Sequence, residues 1–408
     1  MSFLRAARAA LAGQSCLPRI SVAVAVVAIL AGLSLSCGNS LTVRTPPNHS
    51  AYVTLPANGS VLLLSITGAN GAISPGGQTT QTEGVSPFGL AFSPSEKFLY
   101  VVNSFAYTIS IFNINSDGTL TLSGNPIPAG DGPDVAVIDP SGKYLLVTNS
   151  FGNNDAGSIS VYSIDAGTGA LSEVAGSPFF ANANPTEILF THSGKFVYVT
   201  NPGIGMVTGF SFCPPELASE PQCSAASGVL SLVPGAPTVS GAGAAALAVD
   251  GGDQFLYVAN PSASNLPPYE SVVGNISGFN IDPDTGALSP IPGSPFTSNS
   301  GATGPTAIAI DPTGRFVYAV TPGSSSSIWC FTFSPTNNGQ LVAVAGSPFS
   351  LAAGGLFALF DPSGDYLYIG TQTGIAGYTY NTNTGVPTAI SGSPFSIGTE
   401  PGMMVFSQ

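Results

Sequence analysis

The chain has 408 residues, of which 44% are hydrophobic and 7% are charged, and it contains 50 glycines and 35 prolines. This hydrophobic fraction excludes an intrinsically disordered chain, and the glycines and prolines favour a fold of many short strands and turns. The formal net charge of −13 excludes binding to nucleic acid or anionic lipid headgroups through a basic patch.

The first 36 residues predict an export signal. Three arginines precede an apolar run from Ile20 to Leu33, which is the order found in a secretory signal peptide. The following Cys37 resembles the lipidated cysteine of bacterial lipoproteins. We therefore expect a signal peptide over 1–36 and export to the periplasm or cell surface, with a lipid on Cys37 anchoring the chain to the membrane. An ordinary cleaved signal and an uncleaved anchor are the alternatives.

Residues 37–50 are expected to form a tether, which leads to a folded domain over 51–408. Without residues 1–36 the chain keeps five lysines and arginines against 21 acidic residues, a net charge of −16. Such a surface repels polyanions. We therefore expect no nucleic-acid partner, and membrane contact only through the lipid anchor.

One phrase, ending in Tyr-Val-Thr-Asn or a close variant, recurs throughout the domain. Its copies end at Asn103, Asn149, Asn201, Asn260, Thr321 and Thr371. A second phrase, Gly-x-Leu followed by Gly-Ser-Pro-Phe, alternates with the first. Ala51–Leu55 matches only the last part of the first phrase, which we call a closing half. Pro401–Phe406 matches only its first part, an opening half. The two halves predict that seven units close into a ring.

Each unit predicts four short strands and no helix. In one unit the strands cover 87–93, 97–103, 108–114 and 119–122, with turn-forming residues between them. Successive copies of the first phrase end 46 to 61 residues apart. A repeat of this length with four strands is typical of a β-propeller. We therefore predict an all-β fold, a seven-bladed β-propeller with four-stranded blades, in which N- and C-terminal strands share one blade and leave no free edge.

These units resemble those of the lactonase family of seven-bladed propellers, which includes bacterial 6-phosphogluconolactonase and fungal muconate-lactonising enzymes, and those of YVTN-repeat surface propellers. The resemblance covers residues 50–408 and implies the propeller fold. It implies lactone hydrolysis less specifically, because the repeated phrases build blades and not a site.

The resemblance also implies catalytic His, Arg and Glu residues near the central channel, and this chain departs from that pattern. Its only histidines are His49, expected in the tether, and His192, in the turn between first and second strands. The remaining cations of the repeats occupy the same turn: Lys97, Lys143, Lys195 and Arg315. In a propeller this turn lies opposite the loops that form the ligand site.

Three cysteines belong to the predicted domain. In an oxidising compartment, Cys213 and Cys223 are expected to form a disulfide within an insertion. A metal pair is the alternative, but it lacks Cys-x-x-Cys spacing and nearby histidines. Cys330 is expected to be a buried apolar side chain.

Polar and acidic side chains remain at the predicted ligand face. Asp134 and Glu187 are the candidate catalytic residues, because both are expected at the channel end of an inner strand. The candidate binding residues are Asp131, Asn153, Asn154, Asp155, Asn184, Tyr269 and Glu270. Ordinary solvated loops are the competing interpretation. No metal or cofactor is expected, and the repeated Asn is interpreted as a structural residue that bonds the following turn.

Two functional hypotheses follow. The first, which the missing His and Arg favour, is an exported, lipid-anchored monomer that binds a glycan, a cell-envelope component or a protein without chemistry. The second is a lactone hydrolase that uses carboxylates alone on an uncharged lactone.

Overall fold

The computed structural model describes residues 48–151, 156–223, 229–261, 274–297, 304–336 and 338–407. These residues form seven antiparallel sheets, each of four or five strands, and each sheet is one blade of a β-propeller. The predicted fold is therefore confirmed. Within the described ranges, no helix is long and apolar enough to cross a membrane.

The strands of each blade are named inner, second, third and fourth from the central channel outward. Blade 1 contains β1 (His49–Leu55), β2 (Ser60–Ile66), β3 (Ile73–Gln81) and the inner strand β32 (Met404–Phe406). Blade 2 contains β4 (Pro87–Phe92), β5 (Phe98–Asn103), β6 (Thr108–Ile114), β7 (Leu120–Leu122) and β8 (Ile127–Pro128). Blade 3 contains β9 (Pro133–Ile138), β10 (Tyr144–Asn149), β11 (Ala156–Ile164), β12 (Leu171–Glu173) and β13 (Phe179–Ala183).

Blade 4 contains β14 (Ile188–Phe190), β15 (Phe196–Asn201), β16 (Met206–Phe212), β17 (Leu230–Leu232) and β18 (Thr238–Val239). Blade 5 contains β19 (Ala246–Val249), β20 (Phe255–Asn260), β21 (Asn275–Ile281) and β22 (Leu288–Pro290). Blade 6 contains β23 (Ala307–Ile310), β24 (Phe316–Val320), β25 (Ser327–Phe333), β26 (Leu341–Ala343) and β27 (Phe349–Ser350). Blade 7 contains β28 (Gly355–Phe360), β29 (Tyr366–Thr371), β30 (Gly374–Tyr380) and β31 (Pro387–Ala389). Short 3₁₀ helices cover Pro56–Asn58, Pro202–Ile204, Pro215–Leu217 and Pro221–Cys223.

The ring closes where the two half-phrases predict it. β1 pairs with β32 in antiparallel register, so that Tyr52 faces Val405 and Val53 faces Met404. Two details differ from the prediction. β1 begins at His49, so that this histidine lies in a strand rather than in the tether, and β8, β13, β18 and β27 add a short fifth strand to four blades.

The first repeated phrase builds a tight turn between inner and second strands. In blade 3, Asp139 Oδ1 accepts hydrogen bonds from the backbone N–H groups of Lys143 (2.8 Å) and Tyr144 (2.7 Å). Asp139 Oδ2 accepts one from the N–H of Ser141 (3.0 Å). The Asp-Pro-Ser-Gly-Lys sequence thus satisfies its own backbone donors. We call the end of the propeller with these turns the turn face, and the other end, where inner strands begin, the loop face.

The repeated Asn joins two strands. Asn149 is buried, and its Nδ2 donates hydrogen bonds to Ser158 Oγ (3.1 Å) and Ser160 Oγ (3.0 Å) of β11. The structural interpretation of this residue agrees with these bonds. The partners of Asn149, however, are side chains of the third strand and not the following turn. Asn201 Nδ2 instead donates to the carbonyls of Ala181 and Ala183 in β13 of the preceding blade.

Tyrosines of the second strands connect neighbouring blades. Six of them are buried and donate their hydroxyl to a glycine carbonyl in the third-to-fourth-strand turn of the next blade, at 2.5–3.0 Å. The pairs are Tyr52–Gly118, Tyr100–Gly169, Tyr198–Gly286, Tyr257–Gly339, Tyr318–Gly385 and Tyr368–Gly71. Apolar side chains of adjacent sheets fill the space between blades.

The insertion of blade 4 carries the predicted disulfide. Cys213 and Cys223 are bonded, with their Cα atoms 5.4 Å apart, in the connection between β16 and β17. Cys330 lies in β25 and is fully buried, as predicted.

Candidate functional site

Neighbouring blades carry the two candidate catalytic carboxylates. Asp134 is the second residue of β9, and Glu187 directly precedes β14. Both strands are inner strands, so that both residues lie at the loop face beside the central channel. Both are half-buried. Water therefore reaches each of them, although protein surrounds the channel.

The hydroxyl group of Thr148 links the backbone segments that carry these carboxylates. Thr148 Oγ1 accepts a hydrogen bond from the N–H of Val135 (3.1 Å) and lies 3.3 Å from the carbonyl oxygens of both Val135 and Thr186. Val135 follows Asp134, and Thr186 precedes Glu187. The single hydroxyl thus holds the two carboxylates at a fixed backbone spacing across the boundary between blades 3 and 4.

Two further contacts fix the site backbone. Thr200 Oγ1 accepts a hydrogen bond from the N–H of Glu187 (2.9 Å). On the other side, a Cβ atom added to Gly89 of β4 would lie 2.4 Å from the carbonyl oxygen of Asp134. Only glycine permits this close approach of blade 2 to blade 3.

The electrostatic environment separates the proton affinities of the two carboxyl groups. Burial raises the pKa of Asp134 to about 6. Burial, and then the negative charge of Asp134, raises the pKa of Glu187 to about 8. At neutral pH the pair therefore holds one proton, which resides mainly on Glu187, while Asp134 is mainly ionised.

The surroundings explain why both pKa values rise. Val135 and Ile188 follow Asp134 and Glu187 in sequence and belong to one buried hydrophobic cluster. Phe88 and Met403 pack against this cluster. Among the described residues, none donates a hydrogen bond to either carboxylate group. Apolar neighbours disfavour the ionised form, and no donor compensates.

No lysine or arginine of the propeller lies at the loop face. Beyond residue 47 the sequence has four such residues, Lys97, Lys143, Lys195 and Arg315, and the structure describes all of them in or beside the inner-to-second turns. His192 lies in the same kind of turn and bonds Asp253 Oδ1 through Nδ1 at 3.0 Å. His49 Nε2 lies 3.6 Å from Asp361 Oδ2, also at the turn face. Cations are thus confined to the turn face, as the sequence predicts.

The other candidate binding residues are distributed as follows. Asp131 and Asn184 are exposed in the loops that lead into β9 and β14, three residues before Asp134 and Glu187 respectively. Asn153, Asn154, Asp155, Tyr269, Glu270 and the candidate lipidation residue Cys37 lie outside the described residues. The structure therefore brings together Asp134 and Glu187, with Asp131 and Asn184 near the mouth of the channel.

Sequence reasoning missed Thr148 and Gly89. Threonine occupies the position before the repeated Asn also at Thr200, and at Thr54 near the start of the chain. That recurrence was the available signal for a structural hydroxyl. The sequence around Gly89 offered no signal, because the role of this glycine depends on contact between strands of different blades.

Two cavities lie at the turn face, away from the carboxylate pair. One, of about 450 Å³, is lined by Tyr144, Val174, Pro215 and the disulfide cysteines, and another, of about 460 Å³, by Ser193, Lys195, Asp253 and Gln254. Neither lining includes Asp134 or Glu187. We place the candidate site at this pair because both groups lie at the loop face and the pKa of each is raised. In the part of the chain that the structure describes, no three His, Cys, Asp or Glu residues are grouped to hold a metal.

Comparison with known proteins gives a consistent result. The family model described as "Lactonase, 7-bladed beta-propeller" matches residues 42–183, 137–292 and 273–405. A 6-phosphogluconolactonase of Formosa agariphila is 38% identical over 104 residues, which cover 25% of this chain and 28% of that enzyme. A 6-phosphogluconolactonase of Pectobacterium atrosepticum is 30% identical over 140 residues, which cover 32% of this chain and 40% of that enzyme.

The chain thus matches less than half the length of these curated relatives. Among solved structures, the periplasmic gluconolactonase PpgL of Pseudomonas aeruginosa superposes with a TM-score of 0.67 at 16% identity, covering 89% of this chain and 99% of that protein. This likeness shows the fold alone. Because the family model spans nearly the whole propeller, the chain belongs to the seven-bladed β-propeller lactonase family.

Proposed function

We propose that this protein hydrolyses an uncharged lactone, with Glu187 as general acid and Asp134 as general base. The observation that carries the proposal is the carboxyl pair itself. Two carboxyl groups lie at one blade boundary, with pKa values near 8 and 6. Paired titratable groups with separated pKa values are the usual arrangement of an acid and a base in one site.

The chemistry needs one water molecule. Asp134 accepts a proton from water as the water oxygen bonds to the lactone carbonyl carbon. The bond between that carbon and the ring oxygen then breaks, and the ring oxygen takes the proton of Glu187. The products are a free hydroxyl and a carboxylic acid on one open chain. Proton exchange with solvent returns Glu187 to its acid form and Asp134 to its ionised form.

The absence of cations at the loop face supports an uncharged substrate. A phosphorylated lactone would have to enter a channel that carries Asp134 and no lysine or arginine. An uncharged lactone meets no such repulsion, whereas the product ionises to a carboxylate. The same negative charge then favours product release.

The sequence alone favours a binding protein without chemistry. The names of the curated relatives support the hydrolase instead, and so does the separation of the two pKa values. Binding to a glycan, a cell-envelope component or a protein remains compatible with hydrolysis, because it would use other surfaces.

We also propose export from the cytoplasm. A disulfide between Cys213 and Cys223 is typical of oxidising compartments, and one structural relative is periplasmic. Anchoring through Cys37, with the chain acting as a monomer, stays a prediction.

The test compares glucono-1,5-lactone with its 6-phosphorylated form in a proton-release assay, corrected for spontaneous hydrolysis. We expect the full-length protein to hydrolyse the unphosphorylated lactone with the larger kcat/KM. Glu187→Gln and Asp134→Asn should each lower kcat by about 100-fold or more, the usual contribution of a general acid or base. Asp284→Asn is the matched control, since it changes an exposed carboxylate in the turn between β21 and β22, at the turn face, and it should retain most of the activity.

Hydrolysis that survives both substitutions would contradict the assignment of Asp134 and Glu187. A larger kcat/KM for the phosphorylated lactone would contradict the uncharged substrate but not the residues. No hydrolysis of either lactone would contradict the proposed activity on these sugar lactones.

A further inference from the structure

Four exposed apolar side chains share the loop face of blades 2 and 3. Val85, Phe105, Tyr107 and Phe151 are exposed to 61%, 69%, 46% and 57%. Val85 precedes β4, Phe105 and Tyr107 lie between β5 and β6, and Phe151 follows β10. We call these four residues the aromatic rim.

Backbone contacts hold the aromatic rim in place. The N–H of Phe105 donates to the carbonyl of Val85 (3.3 Å), and the N–H of Phe151 donates to the carbonyl of Asp131 (3.1 Å). The two blades therefore present their phenylalanines in the same way. Tyr107 adopts φ of 56°, a conformation that costs free energy for a residue with a side chain.

Phe151 also lies against the loop that leads to Asp134. A Cβ atom added to Gly132 would lie 2.1 Å from a ring carbon of Phe151. The ring thus covers the glycine two residues before the proposed base. The aromatic rim borders the mouth of the channel at this point.

Exposed aromatic rings at this position are confined to blades 2 and 3. In blade order, the residues at the position of Phe105 are Ala57, Phe105, Phe151, Gly203, Ser262, Gly323 and Thr373. The other large exposed hydrophobic residues among those described are Phe180, Leu232, Val239 and Val342, on fourth or fifth strands. The aromatic rim is therefore a local departure from the repeat and not a general property of the blades.

We propose that the aromatic rim binds a neutral polysaccharide chain. Exposed clusters of large apolar side chains mark interaction sites, and aromatic faces pack well on the C–H faces of sugar rings. Glu83 and Asp131 are exposed in the same loops, and carboxylates accept hydrogen bonds from sugar hydroxyls. Nucleic acids and acidic glycans do not fit, because the loop face has no lysine or arginine.

The spacing of the rings favours a chain over a single sugar. Phe105 and Phe151 occupy equivalent positions on adjacent blades, and packed sheets are about 10 Å apart. That separation exceeds the length of one sugar ring. Contact with both phenylalanines therefore requires several linked sugars.

The experiment is calorimetric titration of the full-length protein with neutral oligosaccharides of one to six sugars, derived from cellulose, xylan, mannan and chitin. For at least one series, we expect the hexasaccharide to bind at least tenfold more tightly than the monosaccharide. Phe105→Ala and Phe151→Ala should each weaken binding by about tenfold, the effect of one lost aromatic contact. Phe180→Ala removes an equally exposed ring of β13, the fifth strand of blade 3, and should change nothing.

Tyrosine substitutions at both positions test the ring itself, since Phe105→Tyr and Phe151→Tyr should keep the affinity. The proposal fails if no hexasaccharide binds, if monosaccharide and hexasaccharide bind equally, or if polygalacturonate, an acidic glycan, competes with equal affinity. It also fails if the alanine variants bind as tightly as the parent. The readout is independent of lactone hydrolysis, so that either proposal can fail alone.

Discussion

At the residue scale, Asp134 and Glu187 show how position in a blade changes the chemistry of a carboxyl group. Asp139, Asp311 and Asp361 begin the inner-to-second turns and accept hydrogen bonds from their own turn backbones. Asp134 and Glu187 lie at the other end of the inner strands, next in sequence to Val135 and Ile188 of an apolar cluster. Acidic residues of the turn face therefore stabilise the turns, whereas burial raises the pKa of both carboxyl groups at the loop face.

The first prediction concerns the pH dependence of hydrolysis. The active form needs Asp134 ionised, which requires a pH above about 6, and Glu187 protonated, which requires a pH below about 8. We therefore expect kcat/KM for glucono-1,5-lactone to rise near pH 6, to fall near pH 8, and to be largest between these values. A profile without the alkaline limb would contradict the role of Glu187 as acid.

Stability gives an independent check of the same pKa shift. Because the pKa of Glu187 is raised on folding, its stabilising contribution is complete below the ordinary glutamate pKa and is lost as pH rises through about 8. Glu187→Gln should therefore raise the melting temperature at pH 9 but not at pH 4. An equal effect at both values would argue against the shift.

The sequence predicts Asp134 and Glu187 because their place in the repeat fixes their place in a blade. It marks Thr148 only as a recurring hydroxyl and does not mark Gly89, and it cannot predict the contacts that these residues make between blades. The same limit applies to the tyrosines of the second strands. The periodic pattern marks Tyr100 as buried, but its bond to Gly169 depends on how blades pack.

At the scale of elements, the boundary between blades 3 and 4 is exceptional. Six blades donate a tyrosine hydroxyl to the next blade, but blade 3 has Leu146 at that position. At this boundary Glu216, in the disulfide-closed insertion of blade 4, accepts a hydrogen bond from Tyr144 Oη (3.0 Å) and contacts Lys143 Nζ (3.2 Å). The insertion thus supplies a different connection where the tyrosine is missing, beside the boundary that holds Asp134 and Glu187.

The second prediction tests this connection. Replacing Cys213 and Cys223 by serine should cost about 3 kcal/mol of unfolding free energy, the value expected for a loop of this length. Glu216→Ala should cost about 1 kcal/mol with the disulfide present, and less without it, because an open loop no longer holds Glu216 against Tyr144. Chemical denaturation of four proteins measures the coupling between the disulfide and Glu216: the parent, the double serine variant, Glu216→Ala and the variant that combines all three substitutions. Equal costs of Glu216→Ala in both backgrounds would show that the disulfide does not position the insertion.

The strands themselves were predictable to within about one residue in blade 2, because turn residues bound each apolar run. The short fifth strands were not. β8 and β27 have two residues each, which is too few for a periodic pattern to show. The Gly-Ser-Pro-Phe phrase leads into β13 and β27, and a degenerate copy, Gly-Asn-Pro-Ile, leads into β8. In the complete phrase the serine accepts a hydrogen bond from the third strand, as in Ser347 Oγ with the N–H of Cys330 (2.9 Å).

At the scale of the whole molecule, one blade depends on residues from both ends of the domain. The N–H of Thr54 in β1 donates to the carbonyl of Met403 (3.0 Å), and the carbonyl of Thr54 accepts a hydrogen bond from the N–H of Gly402 (2.9 Å). The N–H of Met403 also donates to Thr54 Oγ1 (2.8 Å). The split phrases predict this closure, because a closing half and an opening half make one complete unit.

Closure leads to the third prediction. Val405→Pro removes the N–H group of the central residue of the β1–β32 pairing, which faces Tyr52. This N–H lies on the β1 side of β32, because Met403 and Ser407, two residues to either side, bond the backbone of β1. We expect a loss of at least about 2 kcal/mol in unfolding free energy, because an acceptor on the buried Tyr52 loses its donor. Val405→Ile keeps the backbone bond at a half-buried position and should cost less than about 1 kcal/mol. Because an open ring exposes the edge of β1, the proline variant should also aggregate at concentrations where the isoleucine variant stays dispersed. Denaturant titration and light scattering measure the two effects. If both variants unfold at the same denaturant concentration, ring closure through β32 contributes little, and the other blade boundaries hold the propeller together without it.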